Sequence, residues 1–344
     1  MPAESRLPEF LEVCLRQFPI SVVDVGCAGG IDPLWRDIAA PGLIRYFGFE
    51  PNPGQYQALK PRPDTRYFNL LVSDRAGEQD FFSFSTVGSV HRRAEREERF
   101  GEVYEKLRLP CDTLENMRQS ATLPSLEVIK IDTEGHELAV LSGAGPFLAG
   151  ETLMVKAEIS FHRRDTENNF ASIHAFMTER GFLLAGLSYN LGILGELYGG
   201  DVLYVRSIES LLAGEAAGRR TRILQAIALA LWLRQYDYAG ICIERAGEEG
   251  LISGQEKTAL AATATARVFL PDFLPPISFA LGQIFFVLSQ LMTGRRHRSK
   301  SAPKQNRLVS SNRLAVSGKW WRKATRNRIA MLLKNYDPYR NAPN

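Results

Sequence analysis

The fold is decided by residues 21–30, Ser-Val-Val-Asp-Val-Gly-Cys-Ala-Gly-Gly, where an apolar run leads into a turn with three glycines. The run from Ser21 to Val25 predicts a strand buried on both faces, which is typical of a parallel sheet. Glycines after such a strand let backbone amides approach a ligand closely, at the sheet edge where nucleotides bind. The spacing differs from the GxGxxG fingerprint, which disfavours NAD.

Further runs of β-branched and aromatic residues follow at the spacing of a helix plus its loops. They cover residues 44–49, 66–71, 126–131, 152–159, 182–188 and 201–205. Helical stretches separate most of them, at residues 35–40, 53–59, 137–142 and 170–179. This alternation predicts an α/β fold with a doubly wound sheet. Residues 79–110 break the rhythm and predict an inserted hairpin, followed by a mobile or helical excursion.

The composition divides the chain into three predicted parts. We predict an α/β domain at residues 1–206, a small helical bundle at 207–270, and an apolar segment with a basic, flexible tail at 271–344. Residues 1–206 hold 21 Lys and Arg against 29 Asp and Glu, whereas residues 295–344 hold 14 against one. The basic character therefore belongs to the tail and favours an accessory contact over a role in the chemistry.

The apolar run at residues 277–292 is shorter than the ~20 residues that span a bilayer. We expect a buried helix followed by a solvated tail, with peripheral contact to an anionic membrane or another polyanion as the alternative. The four cysteines have no disulfide or zinc spacing, and the N-terminus has no signal-peptide pattern but a short amphipathic helix. These features predict a cytoplasmic protein, peripheral to a membrane in the alternative.

Polar side chains end the first three predicted strands. Asp24 ends the first, and Glu50 ends the second about twenty residues later, where its two oxygens can accept hydrogen bonds from a ribose diol. Ser73 and Asp74 follow the third strand, and the carboxylate there can receive an adenine amine. The alternative for this Ser-Asp pair is an ordinary turn.

The fourth strand carries the strongest signal, Val-Ile-Lys-Ile-Asp-Thr-Glu-Gly-His-Glu at residues 128–137. It delivers Asp132, Glu134 and a histidine to the same edge of the sheet. We expect His136 on the surface at the start of a helix, and we expect Glu137 to complement the helix dipole.

The stretch from Lys130 to Glu137, followed by Val-Leu-Ser-Gly-Ala at 140–144, resembles the signature of the FkbM-type methyltransferase family. Further motifs match in order at residues 24–30, 49–53, 73–77 and 200–205. The resemblance covers about residues 18–206. It implies a class I methyltransferase (Rossmann-like) fold, with a seven-stranded, mostly parallel sheet whose last strand is antiparallel, and S-adenosylmethionine as the cofactor.

The resemblance also implies roles for individual residues. We expect the cofactor to bind at Asp24, Gly26, Gly30, Glu50, Ser73, Asp74 and Asp132. Members of the family commonly methylate hydroxyl groups of sugars, polyketides or related metabolites, which implies a glycan or small-molecule hydroxyl as the acceptor. Such a reaction needs aligned reactants and a base. We expect Asp132 on the acceptor side and either Glu158 or His162 as the base.

Other functions are also compatible with the sequence. The acids at the strand ends can also coordinate a divalent cation, although we assign no metal ligands. The protein can be a non-catalytic adenosylmethionine-binding or scaffolding module, with the helical part mediating assembly. A nucleic-acid methyltransferase is less favoured, because residues 1–206 are acidic and contain no Asn/Asp-Pro-Pro-Tyr motif. We therefore expect no specific nucleic-acid partner.

Overall fold

The computed structural model describes residues 7–32, 34–35, 42–84, 87–91, 104–161, 169–191, 197–213 and 216–269. The predicted apolar segment and basic tail at 271–344 lie outside these residues, as does His162. In the part of the chain that is described, no helix is both long and apolar enough to cross a membrane.

The described strands form two sheets. They are β1 (Ile20–Val25), β2 (Ile44–Phe49), β3 (Thr65–Phe68), β4 (Leu71–Val72), β5 (Gly77–Phe84), β6 (Val87–Ser89), β7 (Glu105–Asp112), β8 (Val128–Ile131), β9 (Met154–Ser160), β10 (Phe182–Leu187), β11 (Asn190–Leu191) and β12 (Leu197–Arg206).

The main sheet has the strand order β10-β12-β9-β8-β1-β2-β3, and the short β11 pairs with β12 beside this row. The pairs from β9 through β8, β1 and β2 to β3 are parallel, whereas β12 runs antiparallel to both β9 and β10. The predicted class I methyltransferase fold is therefore confirmed, including its antiparallel last strand.

The first strand lies in the middle of this sheet, between β8 and β2, and all six of its residues are buried. A strand that is covered on both faces needs apolar side chains on both, which explains the continuous apolar run. The carboxyl ends of β1, β2 and β8 therefore lie side by side at one edge, where the acids of the sequence motifs follow.

The third predicted strand differs from the observed one. Strand β3 ends at Phe68, and the chain turns at Asn69, whose side-chain amide donates to the carbonyls of Glu50 (2.8 Å) and Pro51 (3.0 Å). Leu71 then enters the second sheet. The turn breaks the predicted 66–71 strand because the Asn69 side chain holds the chain against the end of β2.

The second sheet has the order β4-β7-β5-β6 and arises mainly from the predicted insertion. Strands β5 and β6 form the expected hairpin, and β7 returns antiparallel to β5. Its small core contains Leu71, Phe81 and Cys111. The excursion predicted after the hairpin falls largely on residues 92–103, which lie outside the described part of the chain.

The described helices cover both faces of the main sheet. They are α1 (Glu9–Gln17), α2 (Pro53–Ala58), α3 (Leu114–Gln119), α4 (Glu137–Ser142), α5 (Gly145–Gly150), α6 (Phe170–Thr178), α7 (Ile208–Leu212), α8 (Ala216–Trp232), α9 (Tyr236–Glu248) and α10 (Gly254–Phe269). Helix α7 was not expected from the sequence. Asn52, Thr113, Asn169 and Ser207 cap α2, α3, α6 and α7 through their side-chain oxygens.

The helices after residue 206 share a core with the sheet. One hydrophobic cluster joins Ile20 and Val128 of the sheet to Ile227 and Ala239 of α8 and α9. The described residues, from 7 to 269, accordingly belong to a single compact unit. The domain boundaries taken from the sequence stay predictions, but the described helices of the 207–270 segment cover one face of the sheet.

Arg206 joins these helices to the end of β12. Its buried guanidinium donates to the carbonyls of Thr152 (3.0 Å), Arg180 (2.6 Å) and Leu148. Its own carbonyl accepts a hydrogen bond of 2.7 Å from the hydroxyl of Tyr238 on α9. Because a buried guanidinium is costly unless its donors are satisfied, these bonds hold the strand, the loops and α9 in one arrangement.

Candidate active site

A pocket of about 450 Å³ opens at the carboxyl ends of β1, β2 and β8. Its walls come from the glycine-rich turn after β1, the residues after β2, the second sheet, and the loop after β8. The lining residues include Asp24, Gly26, Cys27, Gly29, Gly30, Glu50, Leu71, Val72, Phe81, Val90, Lys130, Asp132, Thr133, Glu134 and His136. Its size suits a nucleotide-sized ligand.

The turn after β1 needs its glycines for two reasons. Gly26 and Gly30 have φ angles of +85° and +97°, which residues other than glycine rarely adopt. A Cβ atom at Gly26 would also lie 1.9 Å from the carbonyl oxygen of Asp132. The absence of a side chain therefore lets the turn lie directly against the end of β8.

Lys130 links the acids on the floor of the pocket. Its ammonium nitrogen lies 3.0 Å from Oδ1 of Asp24 and 3.6 Å from Oδ2 of Asp132, and it also donates to the carbonyl of Gly26 at 3.3 Å. The hydroxyl of Tyr46 donates to the other oxygen of Asp24. Asp24 thus lines the pocket as predicted, but both of its oxygens already contact protein groups.

Burial dominates the protonation of this cluster. Asp24 is 1% exposed, and its desolvation raises its pKa to about 6, although Lys130 and the Tyr46 hydroxyl oppose the rise. Desolvation lowers the pKa of Lys130, but the carboxylates of Asp24 and Asp132 outweigh it and raise that pKa. Lys130 therefore stays an ammonium between the carboxyl groups of Asp24 and Asp132.

Glu50 is buried at the end of β2 and lines the pocket. Its Oε1 accepts a hydrogen bond of 2.9 Å from the backbone nitrogen of Asn52, which orients the carboxylate. Burial raises the pKa of Glu50, and this hydrogen bond opposes the rise. The structure thus places Glu50, Gly26, Gly30 and Asp132 around one pocket, and their contacts with the cofactor stay predictions.

Glu137 holds the loop after β8. Its Oε1 accepts hydrogen bonds from the nitrogen (3.1 Å) and hydroxyl (3.0 Å) of Thr133 and from the nitrogen of Gly135 (3.1 Å). These bonds stabilise a loop in which Glu134 has a φ angle of +58°, an uncommon value for a residue with a side chain. Glu137 therefore shapes the pocket wall, a role beyond the expected interaction with the helix dipole.

His136 is buried, so the expectation of a surface position is wrong. Its Nε2 lies 3.0 Å from the hydroxyl oxygen of Ser73, and its ring meets the ring of His91 edge to face at 5.9 Å. Burial, followed by the effect of His91, lowers the pKa of His136 to about 4. The loop after β8 folds inward because Glu137 accepts hydrogen bonds from its backbone and because the Ser73 hydroxyl forms a hydrogen bond with the His136 imidazole.

Ser73 and Asp74 do not lie among the pocket-lining residues. The Ser73 hydroxyl is buried between His136, the side chain of Gln79 (3.1 Å) and that of Asp74 (3.1 Å). Asp74 itself is exposed on the turn that leads into β5. Ser73 therefore reaches the pocket only through His136, and the proposed contact of Asp74 with the cofactor stays a prediction.

The second sheet supplies an apolar wall. Leu71, Val72, Phe81 and Val90 line the pocket on this side. The hydroxyl of Ser89 on β6 donates to the carbonyl of Glu134 at 2.9 Å, which joins the hairpin to the loop after β8. The hairpin that the sequence shows only as an insertion is therefore part of the pocket.

The structure describes only one of the two predicted bases, Glu158. Glu158 lies on β9, partly buried, opposite Asp201 of β12 in the sheet register. It is one strand away from Asp132 and does not line the pocket. His162 lies outside the described residues. Within the described part of the chain, no group of three or more His, Cys, Asp or Glu side chains is arranged to hold a metal ion.

A family profile described as the Methyltransferase FkbM domain matches residues 26–184. Residues 26–184, a little under half of the chain, are therefore similar to the FkbM methyltransferase domain. The match includes the glycine turn, Glu50 and the loop after β8, so the FkbM resemblance is confirmed. The family uses S-adenosylmethionine, which confirms the predicted cofactor at the level of this FkbM domain. A comparison with curated proteins gave no match.

Solved structures similar to the chain include other methyltransferases. An FkbM methyltransferase from Methylobacillus flagellatus KT is 15% identical, with a TM-score of 0.35 over 54% of this chain and 43% of that one. The chain thus spans less than half of that protein's length. Magnesium protoporphyrin IX methyltransferase from Synechocystis PCC 6803, with bound SAM, is 13% identical, with a TM-score of 0.29 over 59% and 86%.

An O-methyltransferase from Bacillus cereus in complex with SAH is 12% identical, with a TM-score of 0.28 over 60% of this chain and 84% of that one. Similarities this distant assign no acceptor to the FkbM domain.

The sequence motifs did not predict the roles of three site residues, Tyr46, Lys130 and Glu137. A lysine inside the buried strand Val128–Ile131 was the available signal, because a buried ammonium needs a counter-charge.

Proposed function

We propose that the protein is an S-adenosylmethionine-dependent O-methyltransferase that methylates a hydroxyl group of a sugar, a glycan or a secondary metabolite. One observation carries this proposal. Glu50, the turn through Gly26 and Gly30, and the partly exposed Asp132 surround a single pocket at the carboxyl ends of three adjacent strands. This is where sheets of this kind bind nucleotides.

The pocket residues fit S-adenosylmethionine part by part. The carboxylate of Glu50 would accept hydrogen bonds from the ribose diol. The apolar wall of Leu71, Val72 and Phe81 would take the faces of the adenine. The floor, with two carboxylates and one ammonium, leaves a net negative charge that favours a cationic sulfonium. When bound, this cofactor supplies an electrophilic methyl group.

The protein's part in the reaction is alignment and proton removal. With S-adenosylmethionine held by Glu50 and the glycine turn, the site would orient the acceptor hydroxyl toward the methyl group, and a carboxylate would accept the hydroxyl proton. We assign Asp132 to the acceptor side of the pocket. Glu158, on the next strand, is the proposed base among the described residues, and His162 stays a predicted alternative.

Calorimetric titration of the 344-residue chain with S-adenosylmethionine tests the proposal. We expect micromolar binding that weakens at least tenfold in Glu50→Ala. Glu179→Ala is the matched control, because Glu179 is an exposed glutamate at the end of α6. Absence of binding to folded wild-type protein would contradict the proposal. Binding without methyl transfer to any acceptor would favour the scaffolding alternative.

A further inference from the structure

His136 lines the pocket, and the protein uses one of its two ring nitrogens. Its Nε2 lies 3.0 Å from the hydroxyl oxygen of Ser73, whereas its Nδ1 forms no hydrogen bond with the described residues. Nδ1 is not sealed off either, since it is not one of the fully buried polar atoms without a partner in the described part of the chain. This nitrogen is therefore the group that His136 can offer to a ligand in the pocket.

The bonds of Ser73 decide which ring nitrogen carries the proton. The hydroxyl has one proton, and two acceptors, Oδ1 of Asp74 and Oε1 of Gln79, each lie 3.1 Å from its oxygen. Donation to His136 instead would set the lone pairs of the Ser73 oxygen against both of these oxygens. The hydroxyl therefore donates to one of them and accepts from the Nε2–H of His136, so Nδ1 keeps a lone pair.

Burial keeps the His136 ring neutral. Burial, followed by the effect of His91, lowers the pKa of His136 to about 4, so at pH 7 the imidazole carries a single ring proton. A charged ring would offer two donors, whereas the neutral ring with its proton on Nε2 offers an acceptor at Nδ1. The folded protein therefore presents an acceptor to a ligand that donates a hydrogen bond.

The imidazole lies at the end of the apolar wall. Val72 lines the pocket, and Ser73, the next residue along the chain, contacts Nε2 of His136. The Phe81 ring rests on the backbone of Gly88, where an added Cβ atom would lie 2.2 Å from the ring. A planar ligand group that packs on this wall needs partners for the polar atoms on its edge, because burying them unpaired is costly.

We infer that His136 recognises the base of the cofactor: its Nδ1 accepts a hydrogen bond from the exocyclic amine of adenine, and Ser73 and Asp74 are positioning residues that fix the tautomer. The inference rests on the cofactor binding in the proposed function and not on the identity of the methyl acceptor. Asp74 then acts on the amine only through Ser73 and His136, in keeping with its place outside the described pocket lining.

Hypoxanthine is the informative comparison with adenine. It has an oxygen where adenine has the amine, so two acceptors, this oxygen and Nδ1 of His136, would face each other. A site that is built to bond one polar group rejects an analogue that leaves its own group unpaired. His136 therefore makes the pocket select adenine over a 6-oxopurine.

Calorimetric titration of the 344-residue chain with S-adenosylhomocysteine and S-inosylhomocysteine tests the inference. The two ligands differ at the 6-position of the purine, and neither carries a methyl group to transfer. The variants are His136→Phe, which keeps a ring but removes the acceptor, and Ser73→Ala, with Ser73→Thr as the conservative variant that keeps the hydroxyl. His174→Phe, on α6 and outside the described pocket lining, is the matched control.

We expect the wild type to bind the inosyl ligand about tenfold or more weakly than the adenosyl ligand, because Nδ1 meets an acceptor. His174→Phe should keep this preference. In His136→Phe the two Kd values should become nearly equal, because neither ligand then meets an acceptor at this position. Ser73→Ala should lose part of the preference, and Ser73→Thr should restore it.

Nitrogen-15 spectra of the wild-type protein with labelled histidine give a readout that needs no variant. With the His136 signals assigned through the backbone, we expect the pattern of an Nε2–H tautomer. The Nδ1 signal should shift when S-adenosylhomocysteine is added, because Nδ1 then accepts a hydrogen bond. In Ser73→Ala the tautomer should become mixed, a change that a purely structural role of Ser73 would not produce.

Equal affinities of the wild type for the two ligands overturn the inference, as does an unchanged preference in folded His136→Phe. An Nδ1–H tautomer in the wild type also overturns it. If His136→Phe does not fold, the tautomer and the ligand-induced shift of Nδ1 in the wild type decide. Each of these results leaves cofactor binding intact, whereas a folded wild type that binds neither ligand overturns the proposed function as well.

Discussion

The ammonium nitrogen of Lys130 lies 3.0 Å from the carboxylate of Asp24, and both side chains are buried in the middle of the sheet. Replacing Lys130 by methionine would leave the Asp24 carboxylate buried without its cation. Because removing one partner of a buried ion pair is strongly destabilising, we expect a loss of about 3–5 kcal/mol in the free energy of unfolding, measured by urea denaturation.

The double variant Lys130→Met with Asp24→Asn is the control for this prediction. It removes the lone charge while keeping the shape of the site, so we expect it to recover much of the lost stability. A single variant as stable as the wild type would contradict the view that Lys130 balances the charge of Asp24.

The glycine turn offers a matched pair of substitutions. Gly26 and Gly29 have nearly equal φ angles, +85° and +83°, but a Cβ at Gly26 would strike the carbonyl of Asp132, whereas no described atom lies within 4 Å of one at Gly29. Gly29→Ala should therefore cost only the backbone strain, about 1–2 kcal/mol.

Gly26→Ala should cost more, because the turn must also move away from β8. We expect it to weaken S-adenosylmethionine binding at least tenfold in calorimetry, with a larger fall in melting temperature than Gly29→Ala. Equal effects of the two substitutions would show that the contact with Asp132 does not matter.

His136 should make stability depend on pH. Its pKa is about 4 in the folded protein and ~6.5 in an unfolded chain, because burial disfavours the charged ring. The unfolded state therefore binds more protons between these values, and the contribution of His136 is complete above pH ~6.5 and lost as the pH falls toward 4. Between pH 7 and 5 the loss is about 2 kcal/mol.

The measurement is urea unfolding of the wild type and His136→Gln at pH 7 and pH 5. We expect the stability difference between the two proteins to shrink by about 2 kcal/mol at the lower pH. A difference that is the same at both pH values would rule out the neutral, buried His136.

Truncation should separate the compact unit from the tail. Ending the chain at residue 271 keeps every described element, so we expect a cooperative thermal transition and unchanged cofactor binding. Ending it at 206 removes the helices that cover Ile20, Val22 and Val128 on one face of the sheet. We expect that shorter protein to lose its cooperative transition and to bind ANS, as judged by circular dichroism and fluorescence.

The elements with local signals were predictable from the sequence. Strand β2 was predicted at residues 44–49, its observed bounds, because its apolar run is bounded by clear turn residues. Helix α4 was also predicted with its observed bounds. The pairing of β4 with β7 was not predictable, because Leu71 and Cys111 lie forty positions apart in the sequence and nothing near either one indicates the other.

The candidate site, like the fold, was only partly predictable from the sequence. The motifs identified Glu50, Gly26 and Asp132, since each follows a recognisable strand. The partners of Asp24 were not identified, because Tyr46 and Lys130 come from two different strands and meet only after the sheet forms. His136 was placed on the surface because its position depends on Ser73, which lies 63 residues earlier.

The position of β12 has a consequence for how the protein is made. This strand lies between β9 and β10, yet the ribosome synthesises it after both. Among the described strands β10 pairs with β12 alone, so the nascent chain holds an unpaired β10 until residue 206 has emerged. Helices α7 to α10, which cover one face of the sheet, follow later still. Every residue of the described pocket is thus synthesised well before the part of the chain that stabilises it, and folding is completed late in translation.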